Sequence, residues 1–276
     1  MIVDSHQHFW SLERGDYGWL NPQLAPLFRD HLPPELAELL AANGVQATVA
    51  VQAAATEAET RYLIELAHHN PFISGVVGWT DFEAADAPQR IAALAGAGKL
   101  KGLRPMIQDM ADPEWVTRRT LDAAFEALIA HGLCFDALVR PVHLGALSRR
   151  LARHPRLRAV IDHAGKPAIA SPASAPEWRA GIARLAERPG THCKLSGLLT
   201  EAAPGAARAD LDPYAAHVFA CFGPERVLWG SDWPVVNLVA DYARWLSLAR
   251  ELIERFAPAH IQAVLAANAI RFYSLA

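Results

Sequence analysis

One rhythm constrains this chain more than any other feature. Eight short runs of β-branched and aliphatic residues recur along it, most of them separated by longer stretches rich in Ala, Leu, Glu and Arg. The runs are Ile2–His8, Thr48–Ala53, Ile73–Trp79, Gly102–Ile107, Cys134–Val139, Ala159–His163, His192–Ser196 and Val227–Ser231. Strands that alternate with helices build a parallel sheet from βα units. Eight such units within 276 residues predict a closed (β/α)8 TIM barrel, a fold of roughly 250 residues. A doubly wound open sheet is the alternative, although no G-x-G-x-x-G follows any of the runs.

The predicted helices are Pro34–Ala42, stopped by Asn43-Gly44, then Glu57–His69, Pro113–Ala130, Leu144–Arg153, Pro176–Arg188, Asp212–Cys221 and Tyr242–Phe256. Asp112 is placed to cap the third of these, with Pro113 at its first position. Two segments break the alternation: Ser11–Leu32, rich in Trp, Tyr, Pro and Arg, and the Pro/Ala/Ser segment Ala164–Ala175. Loops after barrel strands lie on the face where active sites are built, so both are candidate substrate walls. No linker, repeat or low-complexity tail interrupts the chain, which reads as one domain over residues 1–276.

Composition narrows the function classes. With 26 basic and 29 acidic residues the formal charge is −3, and no dense Lys/Arg run offers a nucleic-acid footprint. No apolar run reaches the roughly 20 residues of a membrane span, and no signal segment opens the chain. Cys134, Cys193 and Cys221 are odd in number and far apart, which fits thiols in a reducing compartment. The expectation is a cytoplasmic protein with a small-molecule partner, and neither nucleic acid nor membrane.

In a barrel the C-terminal ends of the strands surround one mouth, however far apart they are in sequence. His6 and His8 end the first run and, two residues apart on a strand, share a face. Arg104 sits in K-G-L-R-P, Asp162 and His163 in V-I-D-H-A-G-K-P, Lys194 in C-K-L-S-G and Asp232 in L-W-G-S-D-W-P. Alternation along a strand lets only one of Asp162 and His163 face the mouth, and His163 is the choice. Three imidazoles, a carboxylate and at least one cation therefore converge. Among the aromatic residues, Trp10, Tyr17 and Trp19 of the long first loop either cover the apolar face of a sugar ring or pack the loop itself. Trp79 and Trp233, at strand ends, are candidates for the same contact.

These motifs, with D-S-H-Q-H-F-W at the start, resemble the amidohydrolase superfamily from Ile2 to Pro234. The H-F-W continuation, G-L-R-P and D-H-x-G-K-P narrow the resemblance to its lactone-hydrolase branch, whose members open sugar lactones and 2-pyrone-4,6-dicarboxylate. Binuclear members carry a carboxylated lysine on strand four and a histidine on strand five. Here strand four offers Arg104, and His143 lies beyond the strand-five position. The resemblance therefore implies catalysis without a metal or with one divalent ion, most naturally zinc, on His6, His8 and Asp232, with His163 beside them.

A lactone is an activated ester, so its hydrolysis needs an activated water and a stabilised oxyanion. Asp232 is the expected general base, His6, His8 and His163 the groups that polarise the carbonyl, and Arg104 and Lys194 the clamps on the substrate. Few cations beyond these two favour a neutral sugar lactone, such as L-fucono- or L-rhamnonolactone, over a dicarboxylate. The competing readings are a zinc-dependent decarboxylase or amide hydrolase of the same superfamily, and an inactive sugar-acid binding protein.

Overall fold

The computed structural model describes residues 1–171 and 175–275. Eight strands form one parallel sheet in sequence order: β1 (Val3–Gln7), β2 (Ala47–Val51), β3 (Ile73–Gly78), β4 (Leu100–Leu103), β5 (Cys134–Ala137), β6 (Ala159–Ile161), β7 (Thr191–Leu195) and β8 (Val227–Trp229). The sheet curls until its edges meet. His8 N donates to Trp233 O at 2.7 Å and Asp232 N donates to His6 O at 2.8 Å, so the first and last strands join just where the candidate residues lie. Helices α1 (Pro33–Asn43), α2 (Glu57–His69), α3 (Ala87–Ala95), α4 (Asp122–Ala130), α5 (Leu144–Arg153), α6 (Ala175–Ala186), α7 (Arg208–Phe222) and α8 (Tyr242–Phe256) follow the strands one by one. The chain is a (β/α)8 TIM barrel, as its rhythm predicts.

Strand residues divide between two cores, as strands buried on both faces must. Ala50, Val76, Leu103, Phe135, Ile161, Leu195 and Trp229 pack outward against the helices. Val3, Val49, Val51, Val77, Cys134, Val160 and Leu228 fill the barrel together with Phe272 and Tyr273. Those two aromatics come from a last helix, α9 (Asn268–Tyr273), which plugs the end opposite the mouth. Among the described residues no helix is long and apolar enough to cross a membrane.

Three local departures from the sequence reading have physical causes. The helix expected over Pro113–Ala130 begins only at Asp122, after short 3-10 turns. Buried Arg150 takes the carbonyls of Val116 (2.6 Å) and Arg118 (2.5 Å), which a continuous helix would need for itself. Asp112 accepts from Glu114 N at 2.9 Å and so caps a turn rather than a helix. Helices α3 and α9, of nine and six residues, are not among the predicted elements. Of the segment Ala164–Ala175, residues 172–174 lie outside the described part.

Candidate active site

The end of β1 brings two imidazoles together, His6 within the strand and His8 one residue past it. His6 Nε2 and His8 Nε2 are 3.2 Å apart, and His8 Nδ1 lies 2.7 Å from Val51 O. A carbonyl only accepts, so His8 Nδ1 carries the hydrogen and Nε2 presents a lone pair. Asp232 Oδ1 is 3.4 Å from His8 Nε2, 3.7 Å from His6 Nε2 and 3.8 Å from His163 Nε2. His8, His163 and Asp232 are each 4 % exposed and line one cavity of about 290 Å³, near the low end of the range for ligand pockets.

Backbone shape delivers these groups. Asp232 follows β8 in the left-handed region, at φ 58°. After β6 the chain makes a whole left-handed turn, with φ 52° at His163, 52° at Ala164, 70° at Gly165 and 50° at Lys166. Each non-glycine residue there costs roughly 1–2 kcal/mol, so the surroundings must hold the turn in place. Trp178 Nε1 fastens it by donating to Ala164 O at 2.7 Å. Gly197 makes room for the His163 ring, since a Cβ there would sit 2.7 Å from His163 Nδ1.

Of Asp162 and His163 only His163 borders the cavity, and this turn rather than strand alternation separates the pair. β6 ends at Ile161, so strand alternation no longer applies to the pair. His163 reaches the mouth, while Asp162 lies beneath it, with Oδ1 3.4 Å from His6 Nδ1 and Oδ2 3.3 Å from Arg104 NH1. Lys194 also proves different from its expected role. It faces inward but one layer below the pocket and is fully buried. Its Nζ lies 2.7 Å from Asp136 Oδ2, 2.9 Å from Asp162 Oδ1 and 3.0 Å from His6 Nδ1, out of a ligand's reach.

Of the aromatic candidates, Trp19 alone lines the cavity, its Nε1 donating to Ala53 O at 2.8 Å. Trp10 is fully buried and spends its Nε1 on Arg29 O, and Tyr17 packs with it in the loop's own small core. Trp233 is turned by the Asp232 conformation onto Phe9 and His31. Trp79 does not border the cavity, and its backbone amide and carbonyl both bond Thr60 Oγ1. Arg104 does line it, anchored to Asp162 and to Gln52 O. The remaining lining includes Ala53, Met106, Leu138 and Val235, with Gln108, Asp109 and Lys166. Gln108, Asp109 and Met106 carry no strand-end signal in sequence, because β4 is followed by an irregular turn. Lys166 stood in a quoted motif, but nothing in its spacing revealed the left-handed turn.

The charges follow from burial and partners. Burial raises the Asp232 carboxyl, but the neighbouring histidines outweigh it and hold it well below the usual carboxylate range. Burial pulls the His163 imidazole down to about 4, against Asp232 and Asp162, so the ring is neutral near pH 7. His6 is likewise lowered, first by burial and then by Lys194. Beneath the mouth, burial works against Asp162, yet Lys194, His6 and Arg104 keep it strongly ionised.

The donor set fits one divalent cation. His8 Nε2 and Asp232 Oδ1 are both acceptors aimed at one point, and such a convergence calls for a proton or a metal between them. The tautomer of His6 depends on its Nδ1 partner. With Lys194 donating, Nε2–H points to His8; with Nδ1–H on Asp162, Nε2 turns its lone pair to the cluster, the form a metal requires. The three donors, 3.2–3.7 Å apart, match the edges of a tetrahedron with ligand distances of about 2 Å. The second group within ligand range, His6 with Asp162 and His163, already has the Lys194 ammonium against Asp162.

A parallel eight-stranded barrel with a His-x-His on its first strand and an aspartate past its last defines the amidohydrolase class. The chain belongs to that family, whose model matches residues 3–275. It is 45% identical to an L-fucono-1,5-lactonase of Burkholderia ambifaria, over 99% of this chain and 95% of that one. An L-fucono-1,5-lactonase of Burkholderia multivorans is 39% identical over 99% and 96%. Among solved structures, an amidohydrolase of Burkholderia multivorans with bound zinc superposes with a TM-score of 0.94 at 37% identity, covering all of both chains.

Proposed function

We propose that this protein hydrolyses a neutral sugar lactone, L-fucono-1,5-lactone or a close analogue, to the open-chain sugar acid. The observation that carries the reading is Asp232, ionised and ringed by three histidines at the mouth of a small, half-apolar pocket. The two L-fucono-1,5-lactonases at 45% and 39% identity, matched over nearly their full lengths, support the same substrate class.

Asp232 takes a proton from the water that attacks the lactone carbonyl, a placement that typically supplies about 10²–10⁴-fold. His163 assists from its other side. Ser196 Oγ lies 2.9 Å from His163 Nδ1, and when that hydroxyl donates, Nε2–H is free to meet the developing oxyanion. The ring C–O bond then breaks and protonated Asp232 returns the proton to the departing alkoxide. Arg104, held by Asp162, presents a fixed guanidinium to the substrate. Trp19 and Met106 offer apolar surface to the sugar's carbon face. His6, His8 and Asp232 would hold a zinc ion, which when bound supplies Lewis-acid polarisation of the carbonyl. Three unpaired thiols support a reducing, cytoplasmic setting.

Acid release in weakly buffered indicator, over a panel of aldonolactones with and without chelator, tests this. Rapid opening of L-fucono-1,5-lactone is expected, with slower turnover of charged lactones. No lactone opened above the spontaneous rate would overturn the proposal.

A further inference from the structure

The left-handed turn after β6 does more than aim His163. In any helical turn of about three residues, positions i and i+3 fall on one side. Here those positions are His163 and Lys166, and both border the cavity. Lys166 N bonds His163 O at 2.8 Å, closing the turn and fixing the pair together. A glycine would suit the φ of 50° at position 166, yet the chain places a lysine there.

The two pocket cations differ in freedom. Arg104 is bound to Asp162 and to a backbone carbonyl, and it is almost fully buried. Lys166 has one ion-pair partner among the described residues, Glu201, at 3.4 Å, and each side chain of that pair is about a quarter exposed. Glu201 is itself fixed from behind, because Ala170 N donates to its backbone carbonyl at 3.0 Å. Such a loose, wet pair can exchange its carboxylate for another at little cost. Lactone opening creates that other carboxylate: a neutral ring becomes an anionic acid, and one proton is released.

We propose that Lys166 receives the carboxylate of the newly opened sugar acid, leaving Glu201 to do so. Lys166 therefore discriminates product from substrate by charge, while the rest of the pocket recognises the sugar. This rests on the lactone-opening reading above.

The test is competitive inhibition of lactone turnover by two ligands of matched carbon skeleton, the aldonate L-fuconate and the neutral cyclic sugar L-fucose. Lys166→Gly removes the cation and suits the left-handed backbone, so folding is preserved. It should raise the inhibition constant of the aldonate at least tenfold and leave that of the neutral sugar within twofold. Lys166→Arg should restore most of the difference, and Glu201→Gln should tighten the aldonate a few-fold by releasing the lysine. An equal change for both ligands in Lys166→Gly, or no change in either, would overturn the proposal. If the unmodified protein opens no lactone, the functional reading falls first and takes this inference with it. Normal turnover with an unaltered aldonate constant sinks the inference alone.

Discussion

Carboxylates, imidazoles and cations cluster twice in this barrel, once at the mouth and once beneath it, and the two clusters are built on opposite principles. At the mouth, Asp232 and His8 aim acceptor atoms at one point beside an open cavity. Beneath it, Lys194 sits between Asp136 and Asp162, Tyr273 donates to Asp136 at 2.6 Å, and every group is sealed from solvent. The lower cluster pairs its charges internally, with Asp136 Oδ1 left without a hydrogen bond, whereas the upper one turns acceptors toward the cavity. Which residue types converge therefore says less than whether their charges are already neutralised.

That contrast is open to breakage. The largest effect should come from Lys194→Met, which leaves buried Asp136 without a cation and Asp162 with Arg104 alone, and should cost about 3–5 kcal/mol in denaturant-unfolding stability. A change within experimental error would mean that the lower cluster is not a neutralised unit. His163→Ala should instead lower kcat by roughly 10²–10³, the scale for one oxyanion donor, with a smaller loss of stability. Equal damage to rate and stability from both variants would erase the distinction between the clusters.

Glu59 supports the mouth from behind, because it accepts from Ala53 N (2.8 Å) and Ala54 N (2.9 Å) and so holds the loop on which Trp19 rests. Burial, working against those two amides, raises its carboxyl to about 7. The folded state then binds more protons than the unfolded chain between about pH 4.5 and 7. Its contribution is thus fullest below pH 4.5 and is lost as pH rises through 7, a swing on the order of 3 kcal/mol. Glu59→Gln should flatten that part of the stability–pH curve, and an unchanged slope would refute the assignment. The smallest effect belongs to Tyr273→Phe, which removes one hydrogen bond from the lower cluster. It should cost about 1 kcal/mol and leave kcat within twofold.

The sequence made the barrel and the upper cluster legible through strand periodicity, because His6, His8, Arg104, His163 and Asp232 all stand at or just past strand ends. The lower cluster was hidden for the same reason. Asp136 lies inside β5 and so carries no strand-end signal, and Asp162 was set aside by an alternation rule that stops at Ile161. Lys194 was recognised as inward-facing chemistry, yet sequence cannot tell which layer of a barrel a side chain occupies. The aromatic residues of the first loop divide by tertiary packing alone: Trp19 borders the pocket, whereas Trp10 and Tyr17 make the core that supports it.

The central claim is that Asp232 is the proton acceptor in lactone opening. Its most direct test is the initial rate of L-fucono-1,5-lactone hydrolysis by Asp232→Asn beside the unmodified protein, with thermal unfolding recorded on both. The account predicts a fall in kcat of at least about 10²-fold with a native-like unfolding transition. A variant that folds and turns over at near-normal kcat would contradict it.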